Sequence, residues 1–169
     1  MRFLAVVGAL AIVFAILAGT YFFSGAYSVA ATSEDPAIVA WALTKVRTAS
    51  IRWRAKGLPP VASSDPALVQ AGARAFAQRG CPQCHGAPGT PWQKFAEGLN
   101  PDPPDLAEIA KTRTPESLFW VIKNGIRMTG MPSFAKAGAS DQEISQIAAF
   151  VKKLPSVSDA DYKTWTAVP

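Results

Sequence analysis

Three observations in the sequence predict an all-α fold. Several segments carry apolar residues at the three- and four-residue spacing of a helix face, and each begins with residues that favour a helix start. No segment of useful length alternates apolar and polar residues, as a half-buried strand does. The connecting segments are rich in proline and glycine, which favour irregular loops. We therefore expect short helices joined by loops, with a long apolar helix at the N-terminus.

The N-terminal segment from Phe3 to Phe23 is almost entirely apolar and carries no charge. As a helix it would span about 32 Å, enough to cross the hydrocarbon core of a bilayer. A cleaved signal peptide is the alternative, because "SVAATS" offers small residues for cleavage, but the apolar region of a signal peptide is usually only about 7 to 15 residues long. Length and the aromatic residues at its end favour a retained transmembrane anchor over residues 1–24. Both interpretations export the rest of the chain.

Residues 25–64 are predicted to be a basic amphipathic linker that contains a helix. No acidic residue occurs between Asp35 and Asp65, whereas five cations do. The cations are Lys45, Arg47, Arg52, Arg54 and Lys56. The apolar residues among them are Ile38, Trp41, Leu43, Val46, Ile51 and Trp53. This composition indicates a basic helix that lies on a membrane or a partner protein, and the alternative is a solvated tether.

The main domain is predicted over residues 65–157, followed by a C-terminal tail at 158–169. Three helices of this domain have recognisable starts: Asp65 with Pro66, Thr114 with Pro115, and Ser140 with Glu143 in a capping box. The second helix should end at Gly125 and the third before Pro155. The third helix has one apolar stripe, formed by Ile144, Ile147, Ala148 and Val151. The second carries Leu118, Phe119, Trp120, Val121 and Ile122.

The motif "CPQCH" at residues 81–85 holds both cysteines and the only histidine of the chain. A structural zinc site needs four ligands, and only three soft ligands are present here. A redox disulfide of the thioredoxin type should follow a buried strand, but the segment before Cys81 is helical in character. The remaining alternative to a cofactor is a surface thiol pair with an incidental histidine.

Covalent haem c uses every chemical group of this motif. The two thiols add to the vinyl groups of the haem, and the adjacent imidazole binds the iron. The cysteines then fix the edge of the ring while the next residue reaches its centre. We therefore expect Cys81 and Cys84 to hold one haem covalently, with His85 as the proximal iron ligand.

The candidates for the sixth iron ligand are few, because the chain has no second histidine. Apart from Met1, the methionines are Met128 and Met131, in "NGIRMTGMPSF". Met131 is the better candidate, since it lies between a glycine that permits close backbone approach and a proline that stiffens the loop. Met128 is expected to pack against the ring edge or the core. In the alternative interpretation both methionines fill gaps in the core.

The motifs "GCPQCHG" and "MTGMPSF", each flanked by helices, resemble those of a class I monohaem c-type cytochrome. The resemblance covers about residues 65–155 and implies a small all-α cytochrome c fold around one haem. It also implies that Gly72 and Phe76 approach the last helix of that fold, where Phe150 is the expected partner. In the family a loop proline carbonyl often holds the outer N–H of the histidine, which points to Pro103 or Pro104.

Together these features predict a membrane-anchored c-type cytochrome that carries single electrons and is not itself an enzyme. The bacterial cytoplasmic membrane is the expected location, with the haem domain facing the periplasm. Expected partners are membrane lipid and a terminal oxidase, a quinol-oxidising complex or a periplasmic dehydrogenase. A fixed subunit of an oxidase or dehydrogenase is one alternative, and a haem enzyme or gas sensor with an exchangeable sixth ligand is another. Nucleic acid is not an expected partner, despite the positive net charge.

Overall fold

The computed structural model describes residues 2–167 and divides the chain into two units, Met1–Glu34 and Asp35–Pro169. The first unit contains helix α1, Arg2–Phe23, in which no residue is buried. Its mean hydropathy reaches 2.6, and among the described residues it is the one helix long and apolar enough to cross a membrane. A signal sequence at an N-terminus has the same features. The helix therefore fits the predicted anchor by length and composition.

The second unit is helical throughout its regular structure. Its α-helices are α2 (Ala37–Ala55), α3 (Pro66–Gln78), α4 (Cys81–His85), α5 (Leu106–Thr112), α6 (Pro115–Asn124), α7 (Asp141–Lys153) and α8 (Asp159–Thr166). Short 3-10 helices cover Lys94–Gly98 and Leu154–Ser156. Among residues 2–167 the only β-type pairing is an isolated bridge between Ala87 and Thr90. The predicted all-α fold is confirmed.

The helix starts follow the predicted capping residues. Asp65 accepts a hydrogen bond from the backbone N–H of Ala67, and Thr114 accepts one from Ser117. Ser140 accepts from the N–H of Glu143. These bonds satisfy N–H groups that have no partner within the helix. Local chemistry thus fixes where α3, α6 and α7 begin.

The core of the second unit forms where α3 crosses α7. A Cβ atom added at Gly72 would lie 1.9 Å from the carbonyl oxygen of Gln146, so only glycine permits this approach. One turn further on, the rings of Phe76 and Phe150 are 5.2 Å apart and both are fully buried. The predicted crossing is confirmed. The predicted stripe of α7 is also buried, with all four residues at 3 % exposure or less.

Two helices outside this crossing extend the core beyond what the sequence suggested. Helix α8, in the predicted C-terminal tail, buries Tyr162, whose ring stacks on Phe150 at 5.7 Å. Helix α2, in the predicted linker, packs against α6 and buries Ile51 and Ala55. The C-terminal half of α2 therefore belongs to the same unit as the haem motif and is not a solvated tether.

Candidate functional site

The "CPQCH" motif forms the single helical turn α4. Gly80, at φ 76°, lies between the end of α3 and Cys81 and reverses the chain into this turn. Positions i, i+3 and i+4 of a helix lie on one face. The geometry of α4 therefore places Cys81, Cys84 and His85 together on one side of the turn. This is the physical reason for the spacing of the motif.

His85 is held by a hydrogen bond from its Nδ1 to the carbonyl oxygen of Pro104, at 3.0 Å. A carbonyl oxygen only accepts, so Nδ1 carries the proton and the lone pair resides on Nε2. Burial lowers the pKa of His85, and the bond to Pro104 offsets part of that effect. The neutral imidazole with a free Nε2 is the form that binds a metal. Of the two prolines suggested by the sequence, Pro104 is the partner.

The two cysteines are free thiols and half-buried. Burial raises the pKa of Cys81 to about 12. A redox cysteine of the thioredoxin type needs a lowered pKa, since the thiolate is the reactive species. The surroundings of Cys81 therefore do not favour a redox disulfide.

The two methionines of the downstream loop have different environments. Met131 is half-buried and packs against the same hydrophobic core as Cys81. Met128 is 88 % exposed, with its backbone in the left-handed region at φ 60°. Of its two predicted environments, packing of Met128 against the core is wrong, because the loop turns that side chain outward; contact with the edge of the haem ring stays a prediction. Of the two, Met131 alone packs against the core.

The segment around Met131 is fixed to the end of α6. The N–H of Ile126 donates to the carbonyl of Met131 at 3.1 Å, and the N–H of Met131 donates to Thr129 Oγ1 at 3.1 Å. Gly125 permits this approach, since a Cβ there would lie 2.7 Å from the carbonyl carbon of Pro132. Just beyond, Phe134 donates to the carbonyl of Ile122 at 3.1 Å, which satisfies a carbonyl in the last turn of α6.

The long loop after His85 connects the two motifs. Its start is tied to α4 by the N–H of Gln93, which donates to the carbonyl of Gln83 at 2.8 Å. Further along, Leu99 contacts the methionine loop, because a Cβ at Gly130 would lie 3.1 Å from the Leu99 methyl groups. The loop then reaches Pro104, the partner of His85. It therefore joins the predicted proximal and distal sides of the site.

Two charged residues, Arg79 and Lys152, support the site, although no local sequence pattern indicates this role. Arg79, two residues before Cys81, forms a bidentate ion pair with Glu143 at 2.6 and 2.7 Å and also donates to the carbonyl of Ala137 at 3.1 Å. Lys152 donates to the carbonyls of Ala110 and Arg113 at 2.6 and 2.9 Å, at the C-terminal end of α5. These bonds fix the start of α4 and the helix that follows Pro104.

A cleft of about 450 Å³ lies beside His85, between α5 and the segment after α7. Its apolar lining includes Trp92, Leu106 and Val157. Of the four predicted haem-binding residues, His85 is the one that lines this cleft. Cys81 and Met131 each pack against the same hydrophobic core instead.

The donor set fits haem c by its chemistry. One helical turn offers two thiols for covalent attachment and a neutral imidazole with a free Nε2, and the methionine loop offers a thioether. Apolar residues around Cys81 and Met131 suit a largely apolar macrocycle. Within residues 2–167, no three His, Cys, Asp or Glu side chains converge as ligands of a metal ion.

Comparisons with known proteins agree with this chemistry. A family model described as cytochrome c oxidase, cbb3-type, subunit III matches residues 67–151, about half of the chain. Searches of curated proteins and of solved structures returned no match. The matched region runs from α3 to α7, so it includes the "CPQCH" motif and both methionines. The resemblance to c-type cytochromes is confirmed: the chain belongs to the family of cbb3-type cytochrome c oxidase subunit III and is a haem-c electron-transfer protein.

Proposed function

We propose that this chain carries single electrons as a membrane-anchored monohaem c-type cytochrome. Cys81 and Cys84 form thioether bonds to the haem, His85 is the proximal iron ligand and Met131 is the distal ligand. The observation that carries the proposal is the bond from His85 Nδ1 to Pro104, because it leaves Nε2 available to the iron. When bound, the haem supplies a one-electron iron couple.

The residues of the chain determine how that couple is used. A thioether from Met131 favours ferrous over ferric iron and raises the reduction potential, which suits an electron carrier. Pro104 keeps the imidazole of His85 in one tautomer and one orientation. We assign no substrate turnover to this chain alone.

The proposed location is the bacterial cytoplasmic membrane, with the second unit in the periplasm, where haem c is attached. Helix α1 is the anchor in this proposal, and its length and composition support that role. Anchoring confines the haem unit near membrane partners and so raises its effective concentration. Those partners would be a terminal oxidase, a quinol-oxidising complex or a periplasmic dehydrogenase.

A second candidate function is a fixed haem-c subunit of an oxidase. The description of the matched family, subunit III of a cbb3-type oxidase, favours it. The site residues would be the same in both cases. The two candidates differ in whether the chain leaves its partner between electron transfers.

One preparation tests both parts of the proposal. The chain is produced in a bacterium that attaches haem c, and the pure protein is treated with acid and organic solvent. We expect the haem to stay on the polypeptide, and the intact mass to show one haem per chain; extraction of the haem would contradict covalent attachment. Cys81→Ala and Cys84→Ala should each leave a single thioether bond. Migration in a native gel after mild detergent extraction then distinguishes a free carrier from a subunit of a large complex.

A further inference from the structure

Helix α2 has two apolar faces on opposite sides. Ile51 and Ala55 are 5 % and 9 % exposed and form the face toward α6. At about 100° per residue, a second apolar face lies opposite to them. It consists of Ile38, Ala42, Val46, Ala49 and Trp53, which we call the outer stripe. These five positions follow a spacing of three and four residues and fit within an arc of about 80°.

Four of the five residues of the outer stripe are exposed to solvent, and Ala42 is half-buried. Its three large residues, Ile38, Val46 and Trp53, are 76 %, 67 % and 67 % exposed. Single exposed apolar residues are common on protein surfaces, but an aligned set on one helix face marks a surface that contacts something apolar. Helix α2 already uses its other face to pack on α6, so folding of this unit does not explain the stripe.

The charges around the outer stripe indicate what covers it. At about 100° per residue, Lys45 and Arg52 border the stripe on one side. Arg54 and Arg47 lie about 80–100° beyond its other edge, toward the face that packs on α6, and Arg47 is half-buried. Lys56 follows the helix, and no acidic residue occurs from 36 to 64. Long basic side chains at the edge of an apolar face can keep their charges at lipid headgroups while their stems lie along the apolar surface. A basic helix with an exposed apolar stripe suits the interface of an anionic bilayer.

The position of α2 in the chain supports a lipid surface over a protein surface. The segment between the end of α1 and the start of α2 is short and covers only residues 24–36. Fully extended, such a segment reaches at most about 45 Å. If α1 is an anchor, as the proposed function holds, α2 stays near the membrane at high effective concentration. Trp53 also suits this location, because tryptophan is enriched at the interface between membrane and water.

We propose that the outer stripe of α2 binds the headgroup region of an anionic bilayer. Because the opposite face of α2 packs on α6, this binding would set the orientation of the haem-bearing unit at the membrane surface. The inference rests on the proposed function for its anchor. It adds a second membrane contact to that anchor, made by residues outside the matched cytochrome region.

Quenching of tryptophan fluorescence by brominated lipids tests the inference on the full-length holoprotein. The protein is reconstituted in vesicles that contain phosphatidylglycerol and phosphatidylcholine brominated near the top of the acyl chains. We expect these lipids to quench part of the tryptophan emission of the wild type. The Trp53→Phe variant should lose at least half of the emission that the brominated lipids quench. Trp41→Phe is the matched control. Trp41 is on the same helix and is 62 % exposed, but it lies about 100° from the middle of the stripe, so the quenching should remain.

Flotation of the vesicles at high salt separates this inference from the proposed anchor. If the protein floats with an intact haem spectrum but Trp53→Phe leaves the quenching unchanged, the outer stripe does not bind lipid and the anchor still stands. If the protein does not float, the anchor fails and the inference fails with it. If lipid quenching is absent and Trp53→Ser slows oxidation of the haem by native membranes, the stripe binds a partner protein, which also overturns the inference.

Discussion

Met128 and Met131 are three residues apart but have different surroundings. Met131 packs against the core that includes Cys81, whereas Met128 is exposed. We expect Met131→Ala to lower the reduction potential and to open the iron to carbon monoxide, because the thioether would be lost. Met128→Ala should leave both properties nearly unchanged. Spectroscopic titration and carbon monoxide difference spectra measure the two effects, and the reverse pattern would assign the ligand to Met128.

The residues of the candidate site could be predicted because their types are rare in this chain. One histidine, two cysteines and two internal methionines leave few combinations for haem ligation. The choice between Pro103 and Pro104 could not be made, since adjacent prolines in an irregular loop give no signal of which carbonyl faces His85. The exposure of Met128 was likewise not predictable, because it follows from a left-handed backbone in a short loop.

Arg79 and Glu143 show a further limit of sequence analysis at the residue scale. They form a bidentate ion pair although they are far apart in the sequence. Glu143 carried a local signal as part of a capping box, and the structure shows that its carboxylate also bonds to Arg79. No local pattern in the sequence indicates a second partner of this kind. The ion pair between Arg79 and Glu143 links the segment just before the haem motif to the first turn of α7.

This ion pair predicts a pH dependence of stability. The hydrogen bond from Arg79 is the main cause that lowers the pKa of Glu143 below its ordinary value of 4.5. A carboxyl whose pKa is lower in the folded state stabilises the fold fully above its unfolded pKa, and that stabilisation declines as the pH falls through the folded value. Denaturant midpoints of wild type and Glu143→Gln should therefore differ by a constant amount near neutral pH and converge in acid. A difference independent of pH would contradict this role.

At the scale of helices, the crossing of α3 and α7 gives a direct test of packing. Gly72→Ala would place a Cβ 1.9 Å from the carbonyl oxygen of Gln146, which is backbone and cannot rotate away. We expect a loss of about 1–3 kcal/mol or more in the free energy of unfolding, measured by denaturant titration of the holoprotein. Gly98→Ala is the control, because no atom lies within 4 Å of a Cβ at that position.

The control should change the stability by less than about 1 kcal/mol, as a substitution without a clash usually does. Equal losses for the two alanine variants would show that the close approach at Gly72 does not hold the helices together. A shift of the haem spectrum in Gly72→Ala alone would show in addition that the crossing positions the "CPQCH" turn, which begins shortly after α3 ends.

Helix existence and helix contacts differ in how well the sequence predicts them. The starts of α3, α6 and α7 follow from capping residues and prolines, which act locally. Helix α8 also has a local start signal, since Ser158 accepts from the N–H of Asp161. Its burial depends on Tyr162 meeting Phe150, which is a contact between distant segments. The packing of α2 on α6 depends in the same way on tertiary structure.

At the scale of the whole molecule, most of the net positive charge lies outside the matched cytochrome region. The cations of α2 and Lys56 are all N-terminal to residue 67, where the match begins. The proposed haem ligands and the charges that would guide encounters thus lie in different parts of the chain. Changes in the basic segment should therefore alter the rate of electron delivery without altering the haem itself.

Neutralising Arg47, Arg52 and Arg54 together should slow oxidation of the haem by native membranes, by about tenfold at low ionic strength, because charge attraction raises the rate of encounter. Attraction between exposed charges is screened over about 8–10 Å at ordinary ionic strength, so the wild-type rate should fall with added salt and approach that of the variant. Stopped-flow measurements at matched haem concentration and several salt concentrations would show both effects. The haem spectrum and potential should stay unchanged.

A variant with the same net charge serves as the control for this experiment. Glutamine in place of Lys136, Lys153 and Lys163 removes three exposed cations of the haem-bearing unit that lie outside α2. If the position of the charges matters, this variant should keep most of the wild-type rate and salt dependence. If both variants slow equally, the total charge of the protein guides the encounter. If neither slows, the cations of α2 have no part in electron delivery, and any contact of that helix with the membrane would rest on its apolar outer stripe.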